Sequence, residues 1–176
     1  MIEDWSKQWC VSFNPSKCEC FVISRKRCPY IPAINLCGTR LTNVASIKLL
    51  GVTFASDFSW NAHIQSTAKR ASRLLGMLRR AQWLLPNSGK VVAYKSFVRP
   101  LMEYASPVWN GGTVSALCLL DIVQNSAISA FGINGPVSCR IQSFCYRRKI
   151  NGPCVFYKFF LTNPLVLCFF YEHPNV

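Results

Sequence analysis

Acidic side chains are scarce in this chain: of 176 residues, 7 are Asp or Glu, against 20 Lys or Arg. Making or cleaving phosphodiesters usually needs two metal ions held by clustered carboxylates. Here the carboxylates are Glu3, Asp4, Glu19, Asp57, Glu103, Asp121 and Glu172, and only Glu3 and Asp4 are adjacent. In a helical context successive side chains diverge, so this pair makes no cluster. Phosphate-cradling loops are missing as well, since neither Gly-x-Gly-x-x-Gly nor Gly-x-x-x-x-Gly-Lys-Ser/Thr occurs. No Gly-x-Ser-x-Gly is present, and His63 and His173 have no evident nucleophile partner. The chain reads as one whose chemical centre is missing.

Other absences narrow the class further. The cysteines stand at 10, 18, 20, 28, 37, 118, 139, 145, 154 and 168, with no Cys-x-x-Cys and only Cys18-x-Cys20 close to it. Zinc-ligand spacing is therefore absent. Met1 is not followed by a basic and then an apolar signal region. A reducing compartment, nucleus or cytoplasm rather than the exterior, is the expectation, with free and mostly buried thiols. Cys154–Tyr171 is very apolar, but Lys158 and Thr162-Asn163-Pro164 interrupt it short of the about 20 residues a membrane span needs. It reads as two short buried segments. No internal repeat or low-complexity tract is visible.

What is present is an apolar chain, 51% hydrophobic, with a formal charge of +13. Such an imbalance predicts attraction to polyanions and says nothing of fold. Residues 1–12 resemble a helix end, with Trp5 and Trp9 on one face. Asn14-Pro15 marks a turn. Cys18–Ser24 reads as a strand ended by Arg25-Lys26-Arg27; Ile34–Leu36, Gly38–Leu41 and Ile47–Phe54 read as further strands, with a turn over Asn35–Gly38.

From Asp57 the period changes from two to about 3.6 residues. A helix over Trp60–Leu85 is expected, capped by Asp57 or Ser59 and stopped by Pro86. Ser88 would cap a second helix through Val98. Pro100 kinks or restarts the chain, and Leu101–Val108 continues as helix. Val114–Phe131 is a further helix, with Leu117, Leu120, Gln124, Ala127, Ile128 and Phe131 near one face. Gly132 is its C-terminal cap. The fold class is α+β: short antiparallel strands, then a mainly helical bundle. The divisions are 1–56, 57–135 and an apolar, Cys-rich 136–176.

The Trp60–Leu85 helix carries the sharpest signal. Ile64, Ala68, Ala71, Leu75 and Leu78 fall on one side, and Lys69, Arg73 and Arg80 on the other, flanked by Arg70 and Arg79. No acid lies anywhere in it. Like charges at i,i+4 cost a few tenths of a kcal/mol each, and a bound polyanion removes that cost. The plainer reading is a solvated face whose acidic partners lie on other elements. Arg99 and Glu103, at i,i+4, read as a structural ion pair. Trp60 and His63 read as packing and capping residues, and Tyr94, Tyr104 and Trp109 as core.

Several stretches together resemble one family. They are Trp5-x-x-x-Trp9 with Phe13-Asn14-Pro15-Ser16-Lys17-Cys18; Leu50-Gly51-Val52 with Asp57-Phe58-Ser59-Trp60-Asn61-Ala62-His63-Ile64; and Tyr94 through Trp109, followed by Val123-Gln124 and Ala127. A looser match follows at Arg147-Arg148 and Val155–Lys158. In this order they are similar to the reverse transcriptases of non-LTR (LINE-type) retrotransposons.

The resemblance implies the end of a polymerase palm followed by a thumb, starting after the aromatic-x-Asp-Asp metal site. Leu50, Gly51 and Val52 would form a primer-grip-like hairpin, although alone they equally describe a buried strand with a glycine bulge. Lys17 would lie near the palm site, or be a solvated turn lysine. Lys69, Arg70, Arg73, Arg79 and Arg80 would meet the backbone of a template–primer duplex. The parent family uses Mg2+; this chain is expected to hold no cofactor, to be inactive alone, and to take nucleic acid as partner. A non-enzymatic nucleic-acid-binding module and a structural or membrane-associated remnant are the alternatives.

Overall fold

The computed structural model describes residues 2–132 and 141–162. The chain forms two compact units, Met1–Ala62 and His63–Val176.

The first unit opens on helix α1 (Ile2–Gln8), with Trp5 stacked near Trp9 and Phe13 at ring separations of 6.5 and 6.4 Å. Asn14 then turns the chain: its Oδ1 accepts from the Ser16 N–H (3.1 Å) and hydroxyl (2.6 Å), and Pro15–Lys17 makes one 3₁₀ turn. Six short strands follow: β1 (Glu19–Phe21), β2 (Asn35–Leu36), β3 (Thr39–Arg40), β4 (Thr42–Val44), β5 (Ser46–Leu49) and β6 (Val52–Ala55). They pair as β2–β3 and β5–β6 antiparallel hairpins and as a parallel β1–β4 pair. That parallel pair departs from the all-antiparallel expectation. The long connection from Phe21 to Thr42 permits it, since parallel strands need a crossover that a hairpin turn cannot make.

Both hairpins close through two residues, the second a glycine. Cys37 (φ 49°) with Gly38 (φ 75°), and Leu50 (φ 48°) with Gly51 (φ 83°), occupy the two positive-φ positions of a type I′ turn. Beyond β6, Asp57 Oδ1 accepts from the Ser59 N–H at 2.9 Å. Trp60 meets Phe54 and Phe58 edge-on at 5.3 and 5.2 Å.

The second unit is helical. Helix α2 spans Asn61–Arg80, starting at the boundary and running through this unit. A 3₁₀ turn (Gln82–Leu84) and Pro86 end it. Helix α3 (Asn87–Ala93) passes directly into a wide turn, Tyr94–Val98, in which the Arg99 N–H reaches the Tyr94 carbonyl. Helices α4 (Arg99–Glu103), α5 (Ser106–Trp109), α6 (Val114–Ala130) and α7 (Phe144–Thr162) complete it. Its core joins Ile64, Ala68, Ala71 and Leu75 to Tyr94, Val98, Met102, Trp109, Leu120, Ala127 and Phe144. Burying one such large apolar side chain contributes about 1.5–3 kcal/mol. No helix among the described residues is long and apolar enough to cross a membrane.

Several expectations needed revision. Ser88 lies inside α3, whose cap position is Pro86. Leu101–Val108 is not continuous helix: Ala105 adopts φ 52° and the chain restarts at Ser106. Pro107 explains this, because its ring would clash with the carbonyl four residues back and it has no N–H to donate. The apolar stretch from Cys154 is helix as far as Thr162, with Val155, Phe156, Tyr157, Phe159 and Leu161 exposed rather than buried. Residues 163–171 of that stretch lie outside the described residues, as do Cys139 and Cys168. The other thiols are free, but only Cys20 is buried. Cys10 and Cys37 fall at turn positions, and Cys118, Cys145 and Cys154 on outward helix faces. Tyr94 and Trp109 are core as expected, whereas Tyr104 is exposed.

Candidate nucleic-acid interface

Helix α2 has two chemically opposed faces because its apolar residues recur at three and four positions. His63, Ile64, Thr67, Ala68, Ala71 and Leu75 are buried. The His63 ring lies 6.1 Å from the Trp109 ring, in a packing role. Lys69, Arg70, Arg73, Arg79 and Arg80 are all exposed. From Lys69 to Arg80 the helix axis advances roughly 16 Å. Two open grooves flank this row. One, of about 610 Å3, is lined by Arg73, Gly76, Met77, Arg79 and Arg80. The other, of about 460 Å3, sets Lys69 and Arg73 of α2 against Leu119 and Ile122 of α6.

The acids of this unit are committed elsewhere. Among its described residues they are Glu103 and Asp121. Glu103 Oε1 accepts from Arg99 Nε at 3.0 Å and from Arg147 Nε, and Oε2 accepts from Arg147 Nη2 at 2.8 Å. Burial alone would push the Glu103 carboxyl up, but the two guanidiniums hold it below the ordinary glutamate range. Asp121 receives a two-pronged pair from Arg148 at 3.2 and 3.0 Å, and that guanidinium also lies 4.7 Å over the Phe144 ring. Three arginines thus consume both carboxylates. Among the described residues of this unit, the plainer reading of the basic face, acidic partners on other elements, has no carboxylate left to supply it.

The Arg99–Glu103 pair is where the i,i+4 spacing put it. Its partner Arg147, 44 positions on in sequence, was not foreseen, nor was the Asp121–Arg148 pair. Gln124 was placed on the buried face of α6 without a role. It accepts from the Tyr94 hydroxyl at 3.5 Å and donates from Nε2 to the Gln142 carbonyl at 3.1 Å. An amide in an apolar stripe must find such partners, and that rule was the available signal. Burial pushes the Tyr94 phenol up to about 12.

The remaining candidates lie in the first unit. Leu50 and Gly51 are the tip of the β5–β6 hairpin, with Leu50 83% exposed, so the reading of a buried strand with a bulge does not hold for them. Val52, the first residue of β6, is buried. Lys17 ends the 3₁₀ turn and is exposed. Among the described residues no three His, Cys, Asp or Glu side chains come together. Among the described residues, Glu103 and Asp121 are both held by guanidiniums and offer no free carboxylate pair to a bound Mg2+.

No family model matches the chain, and no solved structure does. Curated proteins do match. It is 27% identical over 116 residues, 62% of the chain, to a retrovirus-related Pol polyprotein from the type-1 retrotransposable element R1 of Bradysia coprophila. It is 24% identical over 132 residues to the probable RNA-directed DNA polymerase from transposon X-element of Drosophila melanogaster, and 26% over 129 to that from the mobile element jockey of the same fly, each covering 70% of the chain. At 24–27% identity the chain is similar to RNA-directed DNA polymerases and Pol polyproteins of retrotransposable elements. It spans 11–14% of the length of the relatives it matches.

Proposed function

We propose that this chain is a template–primer-binding segment of a retrotransposon reverse transcriptase, the thumb with the adjoining end of the palm, and that it adds no nucleotides alone. One observation carries the reading. Five exposed cations line one face of α2 in a unit whose two described carboxylates are already paired. Such a face is relieved by phosphate, and phosphate contacts give affinity and orientation without choosing sequence. That is what holding a primer duplex of any sequence requires. The chain's similarity to RNA-directed DNA polymerases supports nucleic acid as the polyanion. In this reading Leu50, Gly51 and Val52 bear on the primer strand and Lys17 is a solvated turn residue.

The test is binding of a fluorescent primer–template duplex to the full chain and to an Arg73→Glu/Arg80→Glu variant. Reversing both charges should weaken binding at least tenfold, with helicity retained because both side chains are exposed. Unchanged affinity would remove α2 as the interface. Nucleotide incorporation by the chain alone, with Mg2+ and a primer–template, should be undetectable.

A further inference from the structure

A second basic cluster lies in the first unit and plays no part in the α2 reading. Between β1 and β2, the segment Val22–Ile34 runs without strand or helix. A structureless stretch this long in a compact unit is uncommon, and is either functional or a linker. It carries Arg25, Lys26 and Arg27 in succession, all exposed, and then Tyr30, which is 84% exposed. Among the described residues none of the three cations enters an ion pair with a carboxylate. Of this unit's acids, Glu3 accepts from the Cys37 N–H at 2.6 Å and Asp57 is bound to the Ser59 N–H.

The sequence stiffens this segment. Pro29 and Pro32 fix their own φ, and each pushes the residue before it, Cys28 and Ile31, toward extended backbone. Tyr30 is therefore held out on a chain that has already lost part of its freedom. From Arg27 to Tyr30 the reach is at most roughly 10 Å. Cations that take backbone phosphates, followed at short range by an exposed ring, form the pairing that holds unpaired strands, where aromatic stacking contributes about 1–3 kcal/mol per base. A duplex offers Tyr30 little, because its base faces are already stacked. An acidic protein partner would use the cations and leave the ring idle.

From this juxtaposition we infer that the Arg25–Tyr30 segment is a contact for single-stranded nucleic acid, sequence-neutral and separate from the duplex-binding face of α2. Arg25, Lys26 and Arg27 take phosphates, and Tyr30 stacks on one unpaired base. The inference does not depend on α2.

The experiment measures binding of a short unstructured RNA, and of a blunt duplex, to the full chain across a salt series. The variants are Arg25→Glu/Lys26→Glu/Arg27→Glu, Tyr30→Ala, and Arg73→Glu/Arg80→Glu. The triple variant should lose at least tenfold in single-strand affinity and flatten the log–log salt slope by about 2, since each phosphate on a single strand contributes about 0.7. Tyr30→Ala should weaken single-strand binding about tenfold with the slope unchanged. The same two variants should leave duplex binding within about twofold, while Arg73→Glu/Arg80→Glu does the reverse. Single-strand affinity untouched by both segment variants overturns the inference. So does a loss in the triple variant with none in Tyr30→Ala, which would leave a charge patch that suits an acidic protein. Failure of α2 would show only in the duplex arm, so the two readings fail separately.

Discussion

At the scale of single residues, Glu103 is the position on which most depends. It lies between Arg99 and Arg147, with its side chain 17% exposed. Removing its charge leaves two guanidiniums facing one another, one of which, through Arg99 Nη2, already buries a nitrogen with no hydrogen-bond partner. Breaking a fully buried pair costs about 3–5 kcal/mol, so this partly buried one should cost about 2–3 kcal/mol in Glu103→Gln, read by urea unfolding. The same carboxyl sets an acid limb. Its folded pKa lies below the unfolded value, so its contribution is present above the ordinary glutamate range and is lost as pH falls through the depressed value. Stability in Glu103→Gln should be flatter across that window. Tyr94 works in the opposite sense. Its folded pKa is raised to about 12, so stability should hold below the ordinary phenol value near 10 and fall as pH rises toward 12. One phenolate signal should emerge late in an alkaline absorbance titration and be missing in Tyr94→Phe.

At the scale of elements, the helices were legible where periodicity and proline decide, and opaque where distant partners decide. The apolar face of α2 was readable because Ile64, Ala68, Ala71 and Leu75 repeat at helical spacing, and the buried face of α6 because Leu120, Gln124, Ala127 and Phe131 do. The break at Ala105 was missed, although Pro107 announces it. The outward course of α7 was missed because composition alone makes Phe156 and Phe159 look like core. The basic face of α2 was legible in full, but the pairing of its unit's two described carboxylates was not, because Glu103 and Asp121 find Arg147 and Arg148 across 44 and 27 positions. Among the strands, the β5–β6 hairpin yields a test. Leu50 occupies a left-handed position that suits Asn or Gly. Leu50→Asn should stabilise the chain by about 0.5–1 kcal/mol, seen as a higher urea midpoint, by removing that strain. If the exposed leucine serves the primer strand, the same variant should bind a primer–template duplex more weakly while being more stable.

At the scale of the whole molecule, the relatives set the frame and the charge distribution supplies the mechanism. In the proposed reading, the net charge of +13 lets the chain hold nucleic acid through its phosphates. The measurement that tests this most directly is the salt dependence of blunt-duplex binding by the full chain. Each phosphate neutralised on a DNA duplex contributes about 0.9 to the log–log slope, so five contacts from Lys69, Arg70, Arg73, Arg79 and Arg80 predict a slope of about −4.5. Removing two of the five in Arg73→Ala/Arg80→Ala should bring it to about −2.7. A wild-type slope near zero, or one that the double variant leaves unchanged, would contradict the account.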